Sequence, residues 1–358
     1  MKIVAIRAYI KNLALTKPYT IAYSTFTDVE LVFLEIELEN GIIGIGSASP
    51  AEEVVDENPA QTLASLQTDF VQKLVGRDIR HFQQLIFEAQ QYFGYLPGTL
   101  AAIDLALHDA FCQYLGIPVV DYYGRKIEAL PTSVTIGIKG VEETVEEAKE
   151  YLSLGFSTLK VKTGLDWQED LERVVALRKS FGNAITIRVD ANQGYDLDTL
   201  QKWFEHTQSL DIELVEQPIQ VGEENNLYQT LDFASSIAAD ESLKDARYAI
   251  KFASEPKRFG IFNIKLMKCG GLLPALEIAQ IAKNAGIRLF WGCNDESIAS
   301  ITAALHLAYA CPNSKYLDLD GSFDLAEDLV TGGFEVKKGL MYLNEKSGFG
   351  LSLLNLKL

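Results

Sequence analysis

The sequence is short of the residues that build disulfide scaffolds and soft-metal centres. It holds 4 cysteines and 4 histidines among 358 residues. Cys112, Cys269, Cys293 and Cys311 form neither a Cys-x-x-Cys pair nor a cluster with histidine. A disulfide framework is therefore excluded, and the cysteines read as small buried hydrophobes in a reducing cytosol. His81, His108, His206 and His306 all fall in helical stretches and read as packing residues. Positive charge is also scarce, with Lys plus Arg at 32, Asp plus Glu at 49 and a net charge of −17. Such a surface repels phosphate backbones and anionic membranes, so no nucleic-acid or membrane partner is expected. No apolar run reaches the roughly 18 residues that a membrane span needs. The N-terminal MKIVAIRAYIKNLAL alternates like a strand rather than running on like a signal-peptide core. A cytoplasmic protein is expected.

What remains is ordinary globular composition, 48% hydrophobic and 23% charged, over a length that suggests two domains or one large α/β domain with an appendage. Residues 1–50 read as antiparallel strands. Val4, Ile6, Ala8 and Ile10 alternate, as does Glu30–Glu39, and Asn40-Gly41 before IIGIGSAS is a hairpin signal. The GxxGxG of Gly41–Gly46 joins that hairpin and opens no helix, so it is not a dinucleotide site. Thr16–Asp28 is expected to be a mobile surface loop. Helical spacing follows, first from Pro59 through Leu63, Leu66, Phe70 and Leu74, then over about 80–93, then over the nearly all-apolar Thr99–Leu115, which Gly116-Ile117-Pro118 ends. From residue 130, eight short β-rich runs alternate with amphipathic helices: 132–138, 157–162, 184–190, 212–218, 235–242, 259–266, 286–293 and 314–320. Eight is a barrel count rather than an open-sheet count. The segment 322–358 is too short to fold alone and is expected to pack back on the N-terminal domain.

In such barrels the chemistry sits at the C-terminal ends of the strands. Those ends carry Lys160 and Lys162, Asp190, Glu216, Asp240, Lys265, Cys293, and Asp318 with Asp320, one strand after another. Asp190, Glu216 and Asp240 converge on one point, where three anions without a cation are costly. Hard oxygen donors without histidine or cysteine select Mg²⁺ or Mn²⁺. Lys160 and Lys162, at i and i+2, face the barrel interior together, and their mutual repulsion is expected to lower their pKa toward that of a general base. Lys265 lies across the barrel from them, the geometry for removing a proton on one side of a carbon acid and returning it on the other. Lys268 reads as loop. Asp318 and Asp320, placed away from the metal strands, suit a substrate ammonium.

These residues make the chain resemble the enolase superfamily, in its muconate-lactonizing subgroup, and within it the dipeptide epimerases. The likeness covers essentially the whole chain. It rests on KVK (160–162), RVDAN (188–192), VEQP (215–218), ADES (239–242), NIKLMKCGG (263–271) and DLD (318–320). It implies an α+β capping domain over 1–125, a modified (β/α)7β TIM-type barrel over 126–321 and a C-terminal segment, 322–358, that completes the cap. By the same resemblance Asp190, Glu216 and Asp240 bind Mg²⁺, Lys162 and Lys265 are the acid/base pair, and Lys160 assists. Asp318 and Asp320 hold a dipeptide's ammonium, while Thr135 and Cys293 line the pocket. The partner is then a small dipeptide, and a homo-oligomer is expected. The lack of a histidine at any strand end sets the chain apart from the mandelate-racemase-like subgroup.

The Thr16–Asp28 segment resembles the family's specificity loop. Members acting on Ala-Glu often carry an arginine where this chain has Ser24, and TIAYSTFTD (20–28) offers no cation. A glutamate carboxylate would be left unpaired there. A neutral, small or hydrophobic C-terminal residue is therefore expected, Ala-Ala first, against Tyr19, Tyr23, Ser24 and Phe26. Such a substrate would belong to peptidoglycan peptide metabolism. The alternatives are an L-Ala-D/L-Glu epimerase, an o-succinylbenzoate synthase or muconate cycloisomerase type of reaction on the same residues, and a non-catalytic binding protein.

Overall fold

The computed structural model describes residues 1–20, 25–230 and 234–354. It opens with two long antiparallel strands, Ile3–Thr20 and Thr25–Leu38, and a third, Ile43–Ala48. The Asn40-Gly41 turn joins the last two, with Gly41 at φ +84° and its N–H on the Leu38 carbonyl at 2.8 Å. Val4 departs from the expected alternation. A register irregularity between Ile3 and Ala5 turns it outward and leaves Ile3 in the core.

The described parts of the surface loop expected over Thr16–Asp28, up to Thr20 and from Thr25, are strand instead. After an irregularity beyond Ala14, the strands pair again at Tyr19↔Phe26 and Thr20↔Thr25. Threonine and aromatic residues favour the pleated backbone, and this outweighs the loop reading taken from Lys17-Pro18 and segment length. Ser24 lies outside the described residues.

The sheet packs on the helix Pro97–Leu115, most of whose residues are buried. Gly44 and Gly46 explain the closeness of that contact. A Cβ at Gly46 would stand 2.0 Å from the Ala102 carbonyl oxygen, and one at Gly44 would stand 2.3 Å from that of Ala106. The glycine spacing thus serves strand–helix packing, where overpacking costs about 1–3 kcal/mol. The helix expected from Pro59 to Leu74 breaks in two, Pro59–Leu66 and Asp69–Gln72. Gln67 ends the first and Thr68 starts the second.

Eight parallel strands follow in consecutive order: Val134–Ile136, Thr158–Lys162, Thr186–Asp190, Ile212–Glu216, Ile237–Ala239, Ile261–Ile264, Arg288–Gly292 and Ser314–Asp318. The sheet closes through a parallel bridge at Thr132↔Leu317 and the Ser133 N–H on the Leu317 carbonyl at 3.0 Å. The fold is therefore a (β/α)7β-type barrel beside an antiparallel capping unit. Its lumen is plugged by Leu214, Ala238, Ile261, Phe290 and Tyr316. The Arg188 guanidinium lies over the last two rings at 5.4 and 5.2 Å. This plug closes the bottom and leaves the C-terminal strand ends as an open bowl.

The C-terminal segment touches both parts. The Phe349 N–H donates to buried Asp109 of the capping helix at 2.7 Å, and Leu340–Leu343 pairs with Leu130–Pro131 at the barrel entrance. Among the described residues no helix is long and apolar enough to cross a membrane.

Candidate active site

Parallel register brings the charged strand ends level. Lys162 pairs with Asp190 and Asp190 with Glu216, while Asp240 and Lys265 each follow directly on the end of their strands. Above them, between the barrel mouth and the capping domain, lies a cavity of about 420 Å³. Lys160, Lys162, Asp240, Lys265, Asp318 and Asp320 line it, as do Thr135 and Cys293. Asp190 and Glu216 are wholly buried beneath. All the barrel residues expected in the site therefore converge. Nothing is described of the side chains of Tyr19 and Phe26, although their backbones are paired.

The floor is a lattice of lysines and carboxylates. Lys160 Nζ reaches Asp318 at 2.5 Å, Asp190 at 3.2 Å and Glu216 at 3.3 Å. Lys162 Nζ donates to Asp190 at 2.7 Å and to the Asn192 amide oxygen at 3.0 Å, and Lys265 pairs with Asp240 at 2.9 Å. Mutual repulsion was expected to lower Lys160. Burial does pull it down, but Asp318, Glu216 and Asp190 outweigh burial, and its pKa lies well above the ordinary lysine value. Lys265 is likewise raised: burial pulls it down, but Asp240 together with Glu216 and Glu241 outweighs burial. The sequence showed the two neighbouring cations but not how close the anions of other strands come. Burial, reinforced by Asp190, pushes Glu216 up to about 8, and Asp240 is lowered because Lys265 and Lys268 outweigh its burial.

Asp318 is not set apart from the metal-side acids, as its position on the closing strand suggested. Lys160 ties it to Asp190 and Glu216, and the Ser133 hydroxyl donates to it at 2.6 Å. Asp320 is the member of the pair nearer the open cavity. One of its oxygens accepts the Thr135 N–H at 2.8 Å, and burial beside Asp318 raises it to about 7.

Two floor residues escaped sequence reasoning. Lys268 is buried rather than a loop residue. Its ammonium donates to the Asp240 carboxylate, to the Asp240 carbonyl at 2.5 Å and to the Asn263 carbonyl at 3.1 Å. Its place in NIKLMKCGG, three residues after Lys265, was the available signal. Glu241 is buried beside Asp240 and raised to about 7 by burial and by that neighbour. Its adjacency in ADES could have marked it. The rim was missed altogether: Glu52 and Glu53 on the short capping helix Glu52–Val55, Glu147, Asp295 and Asp324 all face the cavity.

Asp190, Glu216 and Asp240 offer oxygen donors alone, the set that hard divalent cations prefer. Glu216 Oε2 is buried and accepts no hydrogen bond; the Lys160 ammonium stands 3.3 Å away, and a bound cation could use the oxygen's remaining acceptor capacity. Among the described residues no three acidic, histidine or cysteine side chains are so grouped that they could hold a metal ion as they stand. Instead, the ammonium groups of Lys160, Lys162, Lys265 and Lys268 stand against the carboxylates. The donor chemistry fits a divalent cation that would share these oxygens with the lysines.

Barrel, cap and charged floor together have the architecture of the enolase superfamily. Residues 5–124 match the family model described as the mandelate racemase / muconate lactonizing enzyme N-terminal domain, and residues 143–356 match the enolase C-terminal domain-like model. The chain belongs to this family, and it is an isomerase. It is 47% identical to the L-Lys-D/L-Arg epimerase of Desulforapulum autotrophicum, over 98% of this chain and 99% of the relative. It is 35% identical to the hydrophobic dipeptide epimerase of Enterococcus faecalis, over 98% and 100% respectively. The dipeptide epimerase of Methylococcus capsulatus, solved with Mg and the dipeptide L-Arg-D-Lys, superimposes with a TM-score of 0.96 at 46% identity, covering 98% of this chain and 99% of that one.

Proposed function

We propose that the protein is a dipeptide epimerase that inverts the Cα of the C-terminal residue in dipeptides carrying cationic side chains. The observation that carries the substrate class is the charge of the rim. Glu52, Glu53, Glu147, Asp295 and Asp324 surround the cavity mouth, and the lysine among them, Lys139, is already paired with Glu147 at 2.6 Å. A cavity so lined favours a cationic guest. The L-Lys-D/L-Arg epimerases among the relatives and the bound L-Arg-D-Lys of the Methylococcus enzyme support the same class. The Ala-Ala substrate expected from the sequence finds no support. Absence of an arginine near Ser24 argues against an acidic side chain, but it fits a basic one as well as a neutral one. A small neutral dipeptide would bring no positive charge to this acidic rim.

In this reading Asp190, Glu216 and Asp240 hold Mg²⁺, which when bound supplies Lewis-acid stabilisation of negative charge on the substrate carboxylate. Lys162 and Lys265 approach the Cα from opposite sides of the barrel. One removes the proton and the other delivers one to the opposite face, each serving one configuration. Lys160 keeps a fixed positive charge between Asp318 and the floor acids. Asp320, anchored by the Thr135 N–H, takes the terminal ammonium, and Asp318 adds charge from behind. Thr135 and Cys293 form part of the wall. A cycloisomerase or o-succinylbenzoate synthase reaction would set Asp320 against a substrate with no cation. The cysteines, none in a disulfide, fit a reducing cytoplasm.

The test is Cα-proton exchange and inversion in D₂O over a dipeptide panel. A tenfold or larger preference for Lys- or Arg-containing dipeptides over Ala-Ala is expected, and a preference for Ala-Ala or Ala-Glu would overturn the substrate assignment.

A further inference from the structure

Lys162 and Lys265 are held in different ways. Lys162 ends the barrel strand Thr158–Lys162, and its ammonium bonds to Asp190 and Asn192, both barrel residues. Lys265 lies just beyond its strand, at the head of a hydrogen-bonded stretch. Its carbonyl accepts the N–H groups of Lys268 at 3.0 Å and Cys269 at 3.2 Å, and the Leu266 carbonyl accepts those of Gly270 at 2.9 Å and Gly271 at 3.2 Å. The helix Leu272–Asn284 follows directly.

The capping domain grips this stretch from outside. Asp104, buried on the helix Pro97–Leu115, accepts the Leu272 N–H at 2.8 Å and the Leu273 N–H at 3.1 Å, one on each oxygen. A carboxylate at a helix N-terminus meets both the unpaired N–H groups and the favourable end of the helix dipole. His108 Nδ1 stands 3.0 Å from the same carboxylate. Gly271, at φ +115°, makes the approach possible, since a Cβ there would lie 2.5 Å from Asp104. The Tyr95 hydroxyl donates to the Lys268 carbonyl at 3.0 Å. Ser49, from the cap's third strand edge, places its N–H 3.2 Å from the Met267 sulfur.

We propose that Asp104 and Tyr95 are positioning residues through which the capping domain sets Lys265, while Lys162 is set by the barrel alone. The two faces of proton transfer are then tuned by different domains. The proposal rests on the epimerase reading. A buried carboxylate whose two oxygens are both spent on the backbone of the segment that bears one base, and on nothing near the other, is its carrying observation.

The experiment uses the full-length, magnesium-loaded enzyme in D₂O with L-Arg-L-Lys and L-Arg-D-Lys, following exchange with and without inversion. Lys162→Ala and Lys265→Ala assign each epimer to its lysine. In Asp104→Asn, non-inverting exchange at the Lys265 face is expected to fall at least tenfold, while the Lys162 face and both KM values stay within twofold. Tyr95→Phe, at a half-exposed side chain that leaves folding intact, is expected to give the same asymmetry at about threefold. Amide hydrogen exchange should quicken over 265–273 and stay unchanged over 158–163. Equal losses on both faces, or a change confined to KM, would overturn the proposal. A wild type that exchanges neither epimer overturns the epimerase reading instead, and unaltered amide exchange over 265–273 in the variants overturns the clamp by itself.

Discussion

The floor and the rim of the cavity are both rich in carboxylates but hold them differently. On the floor the acids are buried and most are set against a lysine, with Asp190 facing Lys160 and Lys162, Asp240 facing Lys265 and Lys268, and Asp318 facing Lys160. Charges so placed are strong, mutually dependent and intolerant of single removal. On the rim, Glu52 and Glu53 are exposed, where water weakens each interaction and only their number gives a field. In the proposed reaction the floor moves the proton and the rim selects the cation that enters, so the rim can change without disturbing the floor.

That contrast is broken most directly at the lysines. Lys162→Ala and Lys265→Ala should each lower epimerisation by about a thousandfold, the scale of a lost general base. Each should keep exchange on the face its partner lysine serves. Full activity in either variant, measured by polarimetry on an Arg- or Lys-containing dipeptide, would remove the two-base account.

Removal of the divalent cation should have nearly as large an effect. Dialysis of the enzyme against a chelator is expected to abolish inversion, and added Mg²⁺ to restore it. Glu216→Gln should weaken cation binding measured by calorimetry, because the buried oxygen without a hydrogen-bond partner is the one lost. Undiminished turnover after chelation would leave the floor as an ion-pair network alone.

The difference between floor and rim also explains what the sequence could reveal. Strand-end residues recur at near-constant spacing because each βα unit returns the chain to the same rim of the barrel. Asp190, Glu216, Asp240 and Lys265 were therefore legible before any coordinates. Lys268 was not, because its role depends on a short helix, Leu266–Cys269, that folds its ammonium back onto Asp240. Glu52 and Glu53 were illegible for another reason: only the docking of the cap over the barrel brings an acidic turn of one to the mouth of the other. The same limit bears on the substrate. With the rim unseen, the lack of an arginine near Ser24 read as neutrality, whereas the proposed function has acids from elsewhere in the chain answer a cation.

The rim itself offers a smaller, more selective test. Glu52→Gln with Glu53→Gln should lower kcat/KM for an Arg-Lys dipeptide by about two- to thirtyfold, from about 0.2–1 kcal/mol for each of two exposed ionic contacts. Activity on Ala-Ala should stay within twofold. Equal losses on both substrates would mean that these glutamates support the structure and do not select the guest.

The smallest expected effect lies away from both regions, at the seam between barrel and cap. His306, buried on the barrel helix Ile298–Ala310, accepts the Val120 N–H of the capping domain at Nδ1, 2.9 Å away. That bond requires a neutral ring with its proton on Nε2, and burial lowers the pKa to about 3. An unfolded histidine titrates near 6.5. Between these values the unfolded chain binds a proton that the folded one refuses, so stability from this site is present above about 6.5 and is lost progressively as pH falls toward 3. At pH 5 the loss amounts to about 2 kcal/mol. His306→Asn, whose amide oxygen can accept the same N–H, should be less stable than the parent at pH 7.5 and lose less on going to pH 5, as followed by thermal denaturation at both pH values. The ratio of rates on Arg-Lys and Ala-Ala dipeptides should not change, because neither floor nor rim is touched. Identical acid sensitivity in the two proteins would show that the seam histidine is not what acid breaks.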